Sequence, residues 1–187
     1  MNYTVGLMTL MNGEIREEVL DLWNYFEQMY ESKLAKAFYH PNISYQGGIC
    51  ENLDALITRL NEFEYPEKFE VEIDGFEKFT KPQNVIYMKI IKNSKLSEFH
   101  DELSRILIDT CIKTFDLYIP ERWVPHITIV MNDISEVNFH KSFEELCDKQ
   151  SNRRRVLIEN LALVIMDSST RELAIAKVWD LNKTNKQ

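Results

Sequence analysis

Glycine and proline are scarce, five of each in 187 residues, and neither gathers with serine into a stretch that would mark a flexible linker or a low-complexity segment. Cysteine is scarcer still. The three present, Cys50, Cys111 and Cys147, are odd in number and lack a Cys-x-x-Cys spacing, which argues against a disulfide framework and a zinc knuckle and for reduced thiols. No apolar run approaches the length of a membrane span, and no basic region precedes the short apolar run near the N-terminus, so a cytoplasmic protein without membrane contact is expected. Basic charge is in deficit as well. The 22 Lys and Arg face 30 Asp and Glu for a net −8, whereas wrapping a long nucleic acid takes a broad basic surface. A small anionic ligand stays compatible with that balance. The one basic run, Arg153-Arg154-Arg155, either faces phosphates or forms a solvated strand edge, the commoner use of such a run.

What the chain does have is 44% apolar and 11% aromatic residues, enough to bury a core as one domain or as two small lobes. Tyr3 to Leu10 reads as a strand, and Ile15, Val19, Leu22, Phe26 and Met29 then fall at helical spacing behind an Asn12 cap. A strand from Asn42 to Gln46 follows, ending at Gly47-Gly48; Leu53, Leu56, Leu60 and Phe63 define a second helix; Phe69, Val71 and Ile73 alternate with acidic residues as a half-buried strand does. From Asn84 the order starts again: a strand through Val85, Met88 and Ile90, a helix through Leu96, Phe99, Leu103 and Ile106, a strand from His126 to Val130, and a helix through Phe139, Phe143 and Leu146. Val156 to Ile165 and Leu173 to Trp179 read as a hairpin around Asp167-Ser168-Ser169.

The registers repeat along with the order. Val5-Gly6-Leu7-Met8 lies eighty positions before Val85-Ile86-Tyr87-Met88, Pro41-Asn42-Ile43-Ser44 eighty-four before Pro125-His126-Ile127-Thr128, and Ile73-Asp74-Gly75-Phe76 eighty-five before Ile158-Glu159-Asn160-Leu161. Three matches in order at nearly one offset predict an internally duplicated, pseudo-two-fold α+β fold. The expected organisation is a single bilobal domain over 1–187, with repeat halves 1–80 and 81–180 and a frayed tail at 181–187.

Duplication gives the Pro-x-Ile-hydroxyl segments a geometry. Alternate strand residues share a face about 6.6 Å apart, so His126 and Thr128 project together, as do Asn42 and Ser44, and pseudo-symmetry points both pairs into one cleft. A strand that presents an imidazole and a hydroxyl suits metal-independent acid-base chemistry at a phosphodiester. Imidazole titrates near neutrality and can take a proton from the attacking oxygen or deliver one to the leaving oxygen, while hydroxyls hold the phosphoryl oxygens. The competing reading is a strand with a half-buried histidine, since a lone His-x-Thr arises often by chance.

On these residues the chain resembles the 2H phosphoesterase superfamily, which includes the 2′-5′ RNA ligases and the RNA 2′,3′-cyclic phosphodiesterases. Trp123-Val124-Pro125-His126-Ile127-Thr128-Ile129 is the most specific stretch, and the resemblance covers nearly the whole chain. It implies two pseudo-symmetric lobes of antiparallel strands flanked by helices, with a His-x-Thr/Ser motif from each lobe meeting across a cleft. It also implies catalytic roles for His126 and Thr128, a phosphate-holding role for Ser44, and a nucleotide, cyclic phosphate or short RNA as substrate. No cofactor or metal is expected, and the protein is expected to be a monomer.

Asn42 departs from the pattern, standing where the first catalytic histidine belongs, and an amide cannot exchange a proton at neutral pH. His40, two residues earlier, is the candidate substitute; its backbone lies about 6.6 Å from the motif position if the strand extends that far, and a bulge at Pro41 would be needed to close the gap. Trp123, Tyr39 and Tyr45 flank the motifs and either stack on a base or join the core. Arg122 either approaches a phosphate or meets solvent or a carboxylate. His100 and His140 fall in predicted helices, and His140 with Glu144 makes an i, i+4 pair, more often a surface contact than a metal site. The expected function is a phosphoesterase acting on a 2′,3′-cyclic phosphate or 2′-5′ linkage; the alternative is a phosphate-binding module of the same fold without turnover.

Overall fold

Alternating apolar residues set the strands, and the sheets they form cross the sequence halves. The computed structural model describes residues 2–149, 153–166 and 172–182. Its strands are β1 (Tyr3–Leu10), β2 (Asn42–Cys50), β3 (Phe69–Phe79), β4 (Val85–Ile91), β5 (Lys113–Thr114), β6 (His126–Met131), β7 (Arg154–Ile158), β8 (Asn160–Met166) and β9 (Leu173–Asp180); its helices are α1 (Gly13–Tyr30), α2 (Leu53–Asn61), α3 (Ser94–Thr110) and α4 (Glu136–Lys149). One antiparallel sheet has the order β5-β2-β1-β8-β9 and the other β6-β4-β3-β7. The turn expected at Asp167–Ser169 and the tail 183–187 lie outside the described residues.

The duplication is visible in the ladders. β1 pairs with β2 as β4 pairs with β6. Between β3 and β7, Phe69 faces Ile158, Val71 faces Val156 and Ile73 faces Arg154. Shifting each residue by the eighty-five positions that separate Val71 from Val156 maps this ladder onto itself, so the pseudo-two-fold axis passes between those two valines. The symmetry breaks just beyond. β3 runs on past Gly75, whose φ of 72° suits a residue without a Cβ, to pair with β4. Its counterpart stops at Glu159 and changes sheets.

That break corrects the reading of Val156 to Ile165 as one arm of a hairpin: β7 lies in one sheet and β8 in the other, and only β8 pairs with β9. The cause is Asn160. Its side chain accepts from Leu10 N (2.9 Å) and donates to Leu10 O (2.9 Å), while Thr9 Oγ1 donates to its carbonyl (2.8 Å), so the strand is drawn to the end of β1.

Two other local expectations change. Asn12 occupies the N-cap position of α1 but makes no side-chain cap bond; its amide donates to Glu159 Oε1 instead (3.0 Å). Asn52 and Asn93 do cap α2 and α3, accepting from Ala55 N and Leu96 N, a contribution of about 1 kcal/mol each. Gly47-Gly48 does not end β2, which continues to Cys50. A Cβ on Gly48 would fall 2.5 Å from Lys113 O, so the glycine is what lets β5 come alongside. At this edge Cys50, at the end of β2, is joined by a disulfide to Cys111, the C-cap of α3, with Cα atoms 4.2 Å apart. This corrects the reading of three reduced thiols; a pairing across 61 residues is made by the fold and leaves no mark in local spacing. Cys147 is free and exposed.

The helices pack across the halves. α1, which follows β1, lies against β6 in the other sheet, and α3, which follows β4, lies against β2. Val19, Trp23 and Phe26 of α1 and Phe99, Leu103 and Leu107 of α3 are buried in one continuous core with Leu7, Ile43, Ile86, Met88, Ile127 and Ile129. No helix among the described residues is long and apolar enough to cross a membrane.

Candidate functional site

The swapped helices bring the two motif strands alongside one another. β6 is the edge of its sheet, and β2 is paired on its outer side only at Gly48 and Ile49, so the motif residues of both strands have carbonyls outside any ladder. Indoles satisfy them. Trp123, in the segment before β6, donates to Ser44 O on β2 (2.8 Å), and Trp23, on α1, donates to Thr128 O on β6 (3.0 Å). Each half thus reaches over to the hydroxyl-bearing residue of the other.

The faces follow the strand period. His126 lies opposite Lys89 and Thr128 opposite Tyr87 in the β4–β6 ladder, so all four share one face, while Ile127 and Ile129 enter the core. The His126 ring sits against Phe79 (centroids 5.3 Å, edge-on) and Tyr87 (5.0 Å). This apolar bed holds the imidazole below the ordinary histidine range, with its Nδ1 bond to Val124 O (2.6 Å) opposing the shift only in part. The side chain is therefore neutral at pH 7. Because Nδ1–H donates to a carbonyl, Nε2 carries the lone pair. Behind the ring, Glu77 bridges Lys89 Nζ (2.6 Å) and the Tyr87 hydroxyl (3.1 Å), which raises the lysine pKa, and burial together with that carboxylate raises the tyrosine's.

His126 and Thr128 line a cavity of ≈300 Å³ with Trp123, Arg122 and Lys81. Among the described residues neither Arg122 nor Lys81 has an ion-pair partner, and two free cations beside a neutral imidazole make this a place for an anion. By contrast Arg153, Arg154 and Arg155 are taken by Asp74, Glu18 and Glu70, which leaves the basic run as a strand edge. A larger cavity of ≈710 Å³ between α2 and α3 sets Glu62, Glu64, Glu67, Glu98 and Glu102 against Arg59 and Lys95, an excess of carboxylates that suits phosphate less well.

On β2, Asn42 and Ser44 share a face as expected, and they bond to each other: Ser44 Oγ donates to Asn42 Oδ1 (3.0 Å), and Asn42 Nδ2 donates to His40 O (2.9 Å). Ser44 lines a second cavity of ≈340 Å³, and Tyr118 forms part of the wall of both. His40 is not where the substitute role needs it. β2 begins at Asn42, so His40 lies in a bend before the strand and not on its face, and its ring rests on Phe38 (5.1 Å).

The aromatic candidates divide. Tyr45 is a core residue: it is fully enclosed, shares a 2.7 Å hydrogen bond with Thr9 Oγ1, and has its phenol pKa pushed up by burial. A base cannot reach it, because the bulge opposite Leu7 and Met8 leaves the Tyr45 side chain on the core face. Trp123 is also buried, at 3% exposure, with one face stacked on His100 at 3.9 Å. Tyr39 is exposed, 6.5 Å from Trp23, and lines neither cavity. Arg122 stands at the His126 cavity.

Sequence reasoning missed Lys81, Phe79 and Trp23, and it left His100 as a helix residue without a role. His100 is 1% exposed; its Nε2–H donates to Tyr118 O (2.9 Å) and Tyr45 O (3.2 Å), so it buttresses the Trp123 indole from beneath. The apolar i, i+3, i+4 pattern of α3 places it on the inner face, which is the signal that was available. His140, in contrast, is a surface contact of Lys78 (3.2 Å).

Burial holds His100 below the ordinary range too, against smaller opposing effects from Asp101 and the two carbonyls. With both imidazoles depressed, the unfolded chain binds protons below pH about 6.5 that the folded chain refuses. Stability is therefore level in this respect above that pH and falls below it, until the folded-state values are passed. Thermal melts at about pH 7.5, 6.5 and 5.5 should show a drop in Tm over the last step. A Tm unchanged across that range would mean the two rings are not neutral in the fold.

A family model described as the 2′-5′ RNA ligase superfamily matches residues 14–170. No curated protein sequence matches the chain. Among solved structures, Escherichia coli LigT complexed with 3′-AMP is similar at TM-score 0.66 and 14% identity, over 97% of this chain and 99% of that one. The Thermus thermophilus protein TT0787 is similar at TM-score 0.65 and 10% identity, over 97% and 99%. A protein described only as a phosphoesterase gives TM-score 0.65 at 13% identity, again over 97% and 99%. At these identities the likeness is one of fold.

Proposed function

Since the chain belongs to the 2′-5′ RNA ligase superfamily, we propose that it is a 2H-type phosphoesterase working with one histidine, on a 2′,3′-cyclic phosphate or a 2′-5′ linkage of a nucleotide or short RNA. The observation that carries this reading is the cavity that joins neutral His126 and Thr128 to the free cations Arg122 and Lys81. LigT structures hold 3′-AMP, ATP, NADP+ and phosphate, ligands of the same chemical class.

In the proposed step His126 Nε2 takes a proton from water as the water oxygen bonds to phosphorus. One ring P–O bond of the cyclic phosphate breaks, and the freed ribose oxygen takes its proton from solvent, because Asn42 has none to give. Arg122, Lys81 and the Thr128 hydroxyl hold the phosphoryl oxygens as charge builds on them, and the Ser44 hydroxyl joins them only by leaving its bond to Asn42 Oδ1. General base assistance of this kind contributes about 10²–10⁴-fold.

Two measurements test the reading. Hydrolysis of 2′,3′-cyclic nucleotides should fall by about 10²-fold or more in His126→Ala. The wild-type profile should rise with pH through a value below the ordinary histidine pKa and then level, since the base form is the neutral one; a bell would require a second titrating partner. Binding of cyclic nucleotides without any turnover is the alternative, a phosphate-binding module, and the missing second imidazole is what favours it.

A further inference from the structure

Arg122 lines the His126 cavity from an irregular turn, and a turn by itself does not hold a guanidinium in place. We infer that His100, buried on α3 and outside that cavity, is the residue that positions Arg122, an inference that rests on the anion-binding cavity of the phosphoesterase reading above.

Arg122 belongs to the stretch 118–123, within which Arg122 N and Trp123 N both donate to Ile119 O (2.9 Å each). One side chain grips both ends of that stretch. At its start the His100 Nε2–H donates to Tyr118 O (2.9 Å); at its end the His100 ring lies under the Trp123 indole, with centroids 3.9 Å apart and planes 13° from parallel. The same Nε2–H reaches Tyr45 O on β2 (3.2 Å). Tyr45 is the extra residue of the β1–β2 bulge, since Leu7 pairs with Gln46 and Met8 with Ser44, and it stands next to the motif hydroxyl.

Packing alone does not ask for an imidazole here. Around His100 the inner face of α3 carries Leu96, Phe99, Leu103 and Leu107, and burying a ring nitrogen among them costs free energy unless its bonds are made. The bonds that are made join the two segments that meet at the cavity, the strand that carries Ser44 and the turn that carries Arg122. A phenyl ring in the same place would keep the stack and release both carbonyls. The turn would then be tied to β2 at this point by the Trp123 indole alone. An anion arriving at Arg122 would have to order the turn as well as bind, and affinity falls when ordering is left to the binding step.

The experiment is titration of the full chain with inorganic phosphate in the wild type, Arg122→Ala, His100→Phe and the double variant. Arg122→Ala should weaken binding about tenfold, and His100→Phe should lose severalfold through the same guanidinium. The double variant should bind no more weakly than Arg122→Ala, because nothing is left to position. Leu103→Ala, an equally buried change on the same helix, should lower Tm and leave phosphate affinity as it is, which separates positioning from loss of stability. If His100→Phe does not fold, His100→Gln and His100→Asn give the comparison, since only the longer amide reaches where Nε2 stands and should keep the affinity. Losses that add in the double variant, wild-type affinity in His100→Phe, or equal affinity in the two amide variants would overturn the positioning role while the phosphoesterase reading stands. Coupled losses in a chain that hydrolyses no cyclic phosphate would support the positioning role and overturn the reaction. No phosphate binding by the wild type would overturn both.

Discussion

Asn42→His is expected to raise the rate of cyclic-phosphate hydrolysis by roughly 10²-fold, within the ~10²–10⁴ that a positioned acid or base contributes. The position is prepared for it. Asn42 opens β2, half-buried, with its side chain on the same face as Ser44 and already bonded to that hydroxyl. An imidazole there would accept the Ser44 bond or turn to the leaving oxygen, and would return the proton donor that solvent now replaces. The pH profile should change in kind as well as height: the single rising limb becomes a bell, with the falling limb set by the new residue's acid form. A folded variant that binds cyclic nucleotides, melts like the wild type and hydrolyses no faster would count heavily against the site assignment.

Trp123→Ala should destabilise the fold by about 3–5 kcal/mol, the range for removing a buried tryptophan, or about 10 °C in Tm for a chain of this size. The side chain is buried, stacked on His100 at 3.9 Å and bonded to Ser44 O at 2.8 Å. Trp123→Phe separates the contributions: it keeps a ring over His100, leaves the Ser44 carbonyl without its donor, and should cost about 1–3 kcal/mol. Trp23→Phe poses the same question at Thr128 O. Denaturant unfolding of the three variants gives the comparison. If Trp123→Phe proves as stable as the wild type, the indole bond is not what holds β2 in place.

Much of the fold was legible because it is written in periods. The alternation around Leu7 and Ile127 and the helical spacing of Val19, Phe26, Phe99 and Leu103 place strands and helices with the correct inner faces, and the offsets of eighty to eighty-five match the ladders about the axis at Val71 and Val156. What could not be read was anything set by partners distant in sequence. β7 and β8 separate because Asn160 is drawn to Leu10, and Cys50 meets Cys111 because α3 lies on β2. At the site, the face shared by His126 and Thr128 follows from the strand period alone. Tyr45 and Trp123 were ambiguous because aromatics beside a motif serve as core or as stacking surface with the same local sequence, and only their burial decides. Lys81 sits in the β3–β4 connection, and no motif marks it.

The two indole bonds have a consequence for how the first motif can vary. The position of β2 is specified by a backbone carbonyl at Ser44, and a carbonyl is the same whatever side chains its neighbours carry. The residue at 42 can therefore change from a proton carrier to an amide while the strand stays in place, because placement and reactivity are encoded by different atoms. On the proposed assignment, Asn42→His alone would supply the second acid, with no repair needed in the scaffold.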